Sequence, residues 1–147
     1  GTRLVIPRIG IVTTAAGAAL ATMLPLFRAG AGGPIGTGDQ WISWISLDDL
    51  VALLHGALFE EDWSGPVNAV APNPLPQKEQ ARVLGQVLGR PAIVPTPAAA
   101  IRTALGEMGE VLVLGGQRVV PARAQEWGFR FEHTDYADAV RATLGLA

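Results

Sequence analysis

The residues that could do chemistry gather in two places along the 147-residue chain. The first is the stretch from Gly32 to Leu50, GGPIGTGDQWISWISLDDL. It combines four glycines, Gln40, two of the four tryptophans, two serines and the tandem Asp48 and Asp49. The second is GGQRVVP at 115–121, which carries Arg118. Nucleophilic hydrolysis would need Ser43, Ser46 or Ser64 with His55 or His133, and none of these serines stands in a G-x-S-x-G elbow. The adjacent aspartates are a poor acid/base pair, because neighbours on a helix face different directions; helix capping is the simpler role. The histidines lie far apart in sequence and in no zinc-type spacing, and the chain has no cysteine. No catalytic set and no metal set is therefore assigned.

The glycine run Gly32-Gly33-x-x-Gly36-x-Gly38 is not the dinucleotide fingerprint, which follows a strand and has G-x-G-x-x-G order. It is not a P-loop either, since no Lys-Ser/Thr follows. Its amides could face an anion, or the glycines could serve a turn that needs positive φ. A tryptophan beside such a turn can wall a pocket for a planar or sugar ligand. Trp41 and Trp44 stand three apart, so one of them faces the core. Arg118, in its own glycine turn, suits a phosphate and equally a solvated surface. The substrate-side candidates are Gly38, Gln40, Trp41 and Arg118.

Composition narrows the field. Hydrophobic residues make up 49% and charged residues 16%, with net charge −2. So few charges fit a surface partly covered by something else, or simply an alanine- and glycine-rich bias. Lys78 is the only lysine and there is no basic cluster, which argues against nucleic-acid binding. No window has the roughly 18–20 uninterrupted apolar residues of a membrane span. The chain starts abruptly on a strand-like run without Met or leader, which reads as a fragment or a processed chain, with cytoplasm as the default location.

These candidates need elements to hold them. Leu4 to Val12 (LVIPRIGIV) is a continuous run read as one strand buried on both faces, as in a parallel sheet, with Pro7 marking an edge or a bulge. Ala16 to Ala29 has helical spacing, with Leu20, Met23, Leu24 and Phe27 on one face and Pro25 set to kink or divide it. Trp41 to Ile45 reads as a short strand. Ser46 or Asp48 then caps a helix to Leu58 whose apolar face includes Leu50, Val51, Leu53, Leu54 and Leu58. Val67 to Ala71 is a second core strand. Pro76 opens a helix over 77–88 that Gly89 stops. The longest helix is predicted over 98–114, with Ile101, Leu105, Met108 and Leu112 in register. A short strand-like core follows in 115–121, then a short helix to Trp127, a small strand over 129–131, and a last helix to about Leu144 capped by Thr134 or Asp135. Five or six helices and two core strands cannot form a stable open sheet alone. That balance implies an α/β chain whose strands belong to a larger sheet.

In this order the segments PRIGIV (7–12), GGPIGTGDQWISWISLDDL, GPVNAVAPNPLPQKE and RPAIVPTPAAAIRTALGEMGEVLVLGGQRVVPARAQEWGFRF carry a resemblance that covers almost the whole chain. The sequence resembles the C-terminal half of atypical extended short-chain dehydrogenases/reductases of the NAD-dependent epimerase/dehydratase, or nucleoside-diphosphate-sugar epimerase-like, group. From about Arg90 onward it is similar to the small C-terminal domain of unknown function of that branch. The resemblance implies the end of a Rossmann-like domain over 1–89 and a small domain over 90–147 packed on it, forming one unit with a mostly helical substrate lobe and a few short strands.

The resemblance also implies an N-terminal half with the glycine fingerprint and a Tyr-x-x-x-Lys pair. Neither is in this chain: the one tyrosine is Tyr136, and position 140 is valine. NAD or NADP is thus expected with the missing half as partner, and not on this chain alone. By resemblance, the backbone of Gly10, Ile11 and Val12 lies beside the nicotinamide, and the turn from Gly38 to Trp41 lines the substrate cleft. Relatives commonly carry histidine where this chain has Ser46, and a glycine-rich run where it has Thr13-Thr14-Ala15-Ala16-Gly17. The implied function is the substrate-binding half of an NAD(P)-dependent epimerase-like oxidoreductase acting on a small molecule such as a nucleotide-sugar, and compatible with a homo-oligomer. The alternative is a non-catalytic interaction module that uses the 32–50 surface.

Overall fold

The computed structural model describes residues 1–146; Ala147 and the side chains of Ala18, Leu105 and Leu112 lie outside the described set. Two of the four positions in the 98–114 helical register, Leu105 and Leu112, therefore fall outside it.

The fold is α/β, built from short strands and several helices. The first strand run is divided in two. β1 (Val5–Ile9) pairs in parallel with β5 (Gly65–Ala69), Val5 opposite Gly65 and Ile9 opposite Ala69. β2 (Ile11–Thr13) pairs in parallel with β4 (Trp44–Ser46), Ile11 opposite Trp44. Gly10 is the crossing point: its N–H donates to Ala69 O (3.1 Å), and the next amide, Ile11, donates to Ser43 O (2.9 Å). Only glycine fits this crossing, since a Cβ would sit 2.5 Å from Ser43 O and 2.8 Å from Val70 Cγ1. The expectation of one strand buried on both faces is corrected accordingly. Ile6 and Ile9 are about half exposed, and among the described residues β1 pairs with β5 alone, so one edge of the strand is open.

The tryptophan strand is divided for a similar reason. β3 (Trp41–Ile42) pairs antiparallel with β6 (Leu75–Pro76), whereas β4 pairs with β2, so the ladder changes partner at Ser43. Pro76 ends β6 and serves as N-cap, so the helical residues of α3 begin at Gln77.

α1 (Ala18–Arg28) continues through Pro25, three residues before its end, and buries Leu20, Leu24 and Phe27 as its spacing requires. α2 (Leu47–Phe59) buries Leu50 and Leu53, but Val51 and Leu58 point to solvent, so its apolar face is narrower than its composition suggests. Arg3 closes the far end of α2, donating to Ala57 O at 2.7 Å and Leu58 O at 2.8 Å. α3 (Gln77–Leu88) ends on Gly89 at φ 62°. The long helix predicted over 98–114 is instead α4 (Ala98–Gly109) followed by a π-helical turn over Glu110–Leu114. Gly106 leaves helical geometry at φ 57°, ψ −138°, and folds the second part back on the first. The strands expected in 115–121 and 129–131 are irregular segments, because they lie along side chains rather than along a strand edge. α5 (Ala122–Glu126) and α6 (Tyr136–Leu144) complete the chain.

Two apolar clusters form the core. One joins α1, α3 and α6 around Trp44 and Tyr136. The other joins α2 and β5 to the C-terminal segment through Ile45, Leu53, Trp63 and Ala124. In the second, Trp63 stacks on Trp127 at 4.7 Å between ring centroids, and Phe129 meets Trp63 edge-on. α6 returns to the start of the chain: it packs on α3 and β2, and Thr143 Oγ1 donates to Thr13 O at 3.4 Å. No helix among the described residues is long and apolar enough to cross a membrane.

Candidate functional site

The glycine turn at 32–38 faces inward. Gly36 N donates to Thr96 O and Gly38 N to Ile35 O, while the Gly38 and Gln40 carbonyls accept from Lys78 N and Gln77 N. The turn thus caps the N-terminus of α3, which has no side-chain cap of its own. Gly38 holds φ 70°, and a Cβ there would stand 2.7 Å from Lys78 Cβ. The Gly36 and Gly38 amides, which could have cradled an anion, are committed within the fold. Asp39 N is likewise taken, by Thr37 Oγ1 at 3.3 Å.

Gln40 is half-buried, and its amide nitrogen donates to Ile35 O at 3.1 Å and Val113 O at 3.2 Å. Both of its N–H bonds are spent, so what remains to meet a ligand is an acceptor. Gln77 beside it is buried. Its Oε1 accepts from Ile35 N at 2.8 Å, and its Nε2 has no hydrogen-bond partner.

The two tryptophans separate as their spacing requires. Trp44 is fully buried, donates Nε1–H to Asn73 O at 2.9 Å and stands edge-on to Tyr136. Trp41 is half-buried, and the Arg118 guanidinium lies 5.1 Å from its ring centroid. Two predicted substrate-side residues, 77 positions apart in sequence, are therefore in contact. What joins them is the segment 113–120, which lies across β3 and β4. Gly116 sits so close to Trp41 that a Cβ would be 2.4 Å from Trp41 O. Ser43 Oγ donates to Gln117 O at 2.7 Å and accepts from Val119 N at 2.9 Å. Asn68 Nδ2 donates to Val120 O at 3.3 Å. Ser43 O in turn accepts from Ile11 N, so one residue bridges the Gly10–Val12 strand and the Arg118 segment.

Sequence reasoning missed Asp49. Ser46 is the N-cap of α2, as expected, accepting from Asp49 N at 3.1 Å. Asp49 is more than a second cap. Its carboxylate is buried and accepts from Ser46 Oγ (2.8 Å), Glu132 N (2.7 Å) and His133 N (3.1 Å). It pins the C-terminal segment to the start of α2, while Asp48 points to solvent. The one available signal was S-x-x-D at 46–49, a capping-box spacing; nothing in that spacing announces residues more than 80 positions away. His133 Nδ1 stands 3.9 Å from Asp49 Oδ2, beyond hydrogen-bond reach, and has no other partner.

Tyr136 is a core residue. Its hydroxyl accepts from Gln80 Nε2 at 3.1 Å, and burial pushes its pKa up to about 12. The unfolded phenol ionises near 10 while the native one stays neutral, so stability holds below pH ~10 and falls as pH rises toward about 12. Denaturant unfolding from pH 9 to 12 is expected to show a loss on the order of 2 kcal/mol. Tyr136→Phe should abolish that slope.

Residues 96–143 match a family model described as a domain of unknown function, DUF1731. The chain is 46% identical over 142 residues to an Arabidopsis thaliana protein named epimerase family protein SDR39U1 homolog, chloroplastic, an alignment of 97% of this chain and 41% of that protein. The crystal structure of the human epimerase family protein SDR39U1, isoform 2, with NADPH superposes with a TM-score of 0.93 at 36% identity over 99% of this chain and 50% of that one. A nucleoside-diphosphate sugar epimerase from Corynebacterium glutamicum superposes with a TM-score of 0.72 at 30% identity, over 97% of this chain and 26% of that one. The chain spans about half the length of the curated relatives it matches.

Proposed function

The chain belongs to the epimerase family proteins of the short-chain dehydrogenase/reductase type, and on that premise we propose that it is the substrate-side half of an NAD(P)-dependent epimerase-like oxidoreductase. The observation that carries the reading is the bridge at Ser43, which brings the Gly10–Val12 strand and the Trp41–Arg118 pair into one wall. In this reading Gly10, Ile11 and Val12 border the nicotinamide, and Gly38, Gln40, Trp41 and Arg118 border the substrate. Gly38 contributes by holding the turn; Trp41 and Arg118 present the chemistry.

The residues present fit one side of a nicotinamide, while the turn amides of Ile35, Gly36, Gly38 and Asp39 are already engaged within the fold and do not cradle a diphosphate. The nicotinamide, when bound, supplies the hydride acceptor or donor. This chain supplies a rigid strand, an aromatic face and a guanidinium. The acid/base pair and the diphosphate loop belong to a preceding half, with residues 1–89 closing a Rossmann-like unit and residues 90–147 forming the smaller domain on it. The substrate class that fits is a small molecule carrying phosphate, such as the nucleotide-sugar named for the Corynebacterium glutamicum relative. Cytoplasm is the proposed location, although the Arabidopsis relative is named as chloroplastic. An interaction module built on 32–50 is the weaker reading, since most of that stretch packs against Phe27, Val94, Lys78 and Gly116.

Calorimetric titration with NADPH tests the proposal. This chain alone is expected to give no tight NADPH binding, and the same chain preceded by the remainder of its reading frame a tight, saturable one. Tight NADPH binding by the chain alone would sink the proposal.

A further inference from the structure

We infer that Ser43 is the positioning residue that sets Arg118 over Trp41 toward an anionic group of the substrate; the functional half of this inference rests on the reading above. Four contacts hold the segment 113–120: Gln40 Nε2 to Val113 O, Gly116 against the Trp41 main chain, the Ser43 pair, and Asn68 Nδ2 to Val120 O. Three of these grip it at one point each. Ser43 alone among them grips both sides of Arg118, donating to the residue before it and accepting from the residue after it.

A hydroxyl can do this because it donates one bond and accepts two, whereas no apolar side chain can do either. The residue also spans two ladders. Its carbonyl takes the Ile11 amide, and its position is where pairing passes from β6 to β2. The guanidinium is thereby referenced to the Gly10–Val12 strand through a single residue. The main chain of 117–119 would otherwise lie along the lip with its place set only at Gly116 and Val120. Arg118 forms no ion pair among the described residues, so its charge is available to a ligand.

The test uses the whole chain with an NMR label on arginine. In the wild type, the Arg118 Nε–H resonance is expected to carry a ring-current displacement from Trp41, identified by its loss in Trp41→Leu. Ser43→Ala should lose most of that displacement and Ser43→Thr should keep it. Titration with inorganic pyrophosphate should move the same resonance saturably, with the dissociation constant raised about tenfold in Ser43→Ala and nearly unchanged in Ser43→Thr. A displacement and a pyrophosphate affinity kept in Ser43→Ala would overturn the inference, as would equal loss in both variants. A wild-type chain whose Arg118 resonance ignores pyrophosphate would overturn the anion-facing role. NADPH calorimetry on the longer protein fails or succeeds independently of these readings, so a failed reading of function and a failed role for Ser43 are told apart.

Discussion

Replacing Asp49 by alanine is expected to destabilise the fold by about 3–5 kcal/mol, a drop in melting midpoint on the order of 10 °C. The carboxylate takes the Ser46 hydroxyl and the Glu132 and His133 amides, and all three lose their acceptor at once; Asp49 and Ser46 are buried and the two amide bonds part-buried. An unpaired buried donor costs roughly 1–3 kcal/mol, so the sum reaches the upper part of that range even with some relaxation. Asp49→Asn should recover only part of the loss, because its NH2 group would face amide donors. Asp48→Ala is the control. Its carboxylate is solvent-exposed at the first turn of α2, and removing a helix-dipole contact there costs roughly 0.3–1 kcal/mol. Thermal unfolding of the three variants checks the set; equal effects at positions 48 and 49 would refute the clamp.

Trp44→Ala is expected to cost about 3–5 kcal/mol, as truncations of large core aromatics do. The side chain is fully buried in the cluster of α1, α3 and α6, and its removal opens a cavity and leaves Asn73 O without its donor. Trp41→Ala should cost on the order of 1 kcal/mol, since that ring is half-exposed and its main contact is a guanidinium. Urea unfolding separates the two. A Trp41 variant as unstable as the Trp44 variant would move Trp41 from the lip into the core.

These pairs show how far the amino-acid pattern could be read. Helices with one apolar stripe were legible. α1 buries Leu20, Leu24 and Phe27, and α3 runs from Gln77 to the glycine that stops it. The turn residues Gly38 and Gly89 were legible as punctuation, and both hold positive φ. What could not be read locally was the partner. Leu4 to Val12 looks uniform, yet it divides at Gly10 because Ala69 O claims one amide and Ser43 O the next. Asp48 and Asp49 are the same residue type on the same turn, and only a segment more than 80 positions away decides which one is buried. Spacing alone assigned one of Trp41 and Trp44 inside and one outside, and the choice of Trp41 for the cleft side came from the glycine turn beside it and the resemblance; the contacts with Arg118 and Asn73 could not be read. The family resemblance, which covered nearly the whole chain, was legible because it used segment order and not contacts.

The return of α6 to β2 has a kinetic side. β1 waits for β5, sixty residues later, and the hydrogen bond from Thr143 to Thr13 joins positions 130 apart. Contacts that distant set the rate of folding, because the chain must lose its loop entropy before they form. During synthesis the core around Trp44 stays open until residues 136–140 have emerged, since Tyr136, Ala139 and Val140 are part of it. Until then the apolar faces of α1 and α3 are solvated, and an unfinished chain is a substrate for chaperones or proteases rather than a smaller version of the folded one.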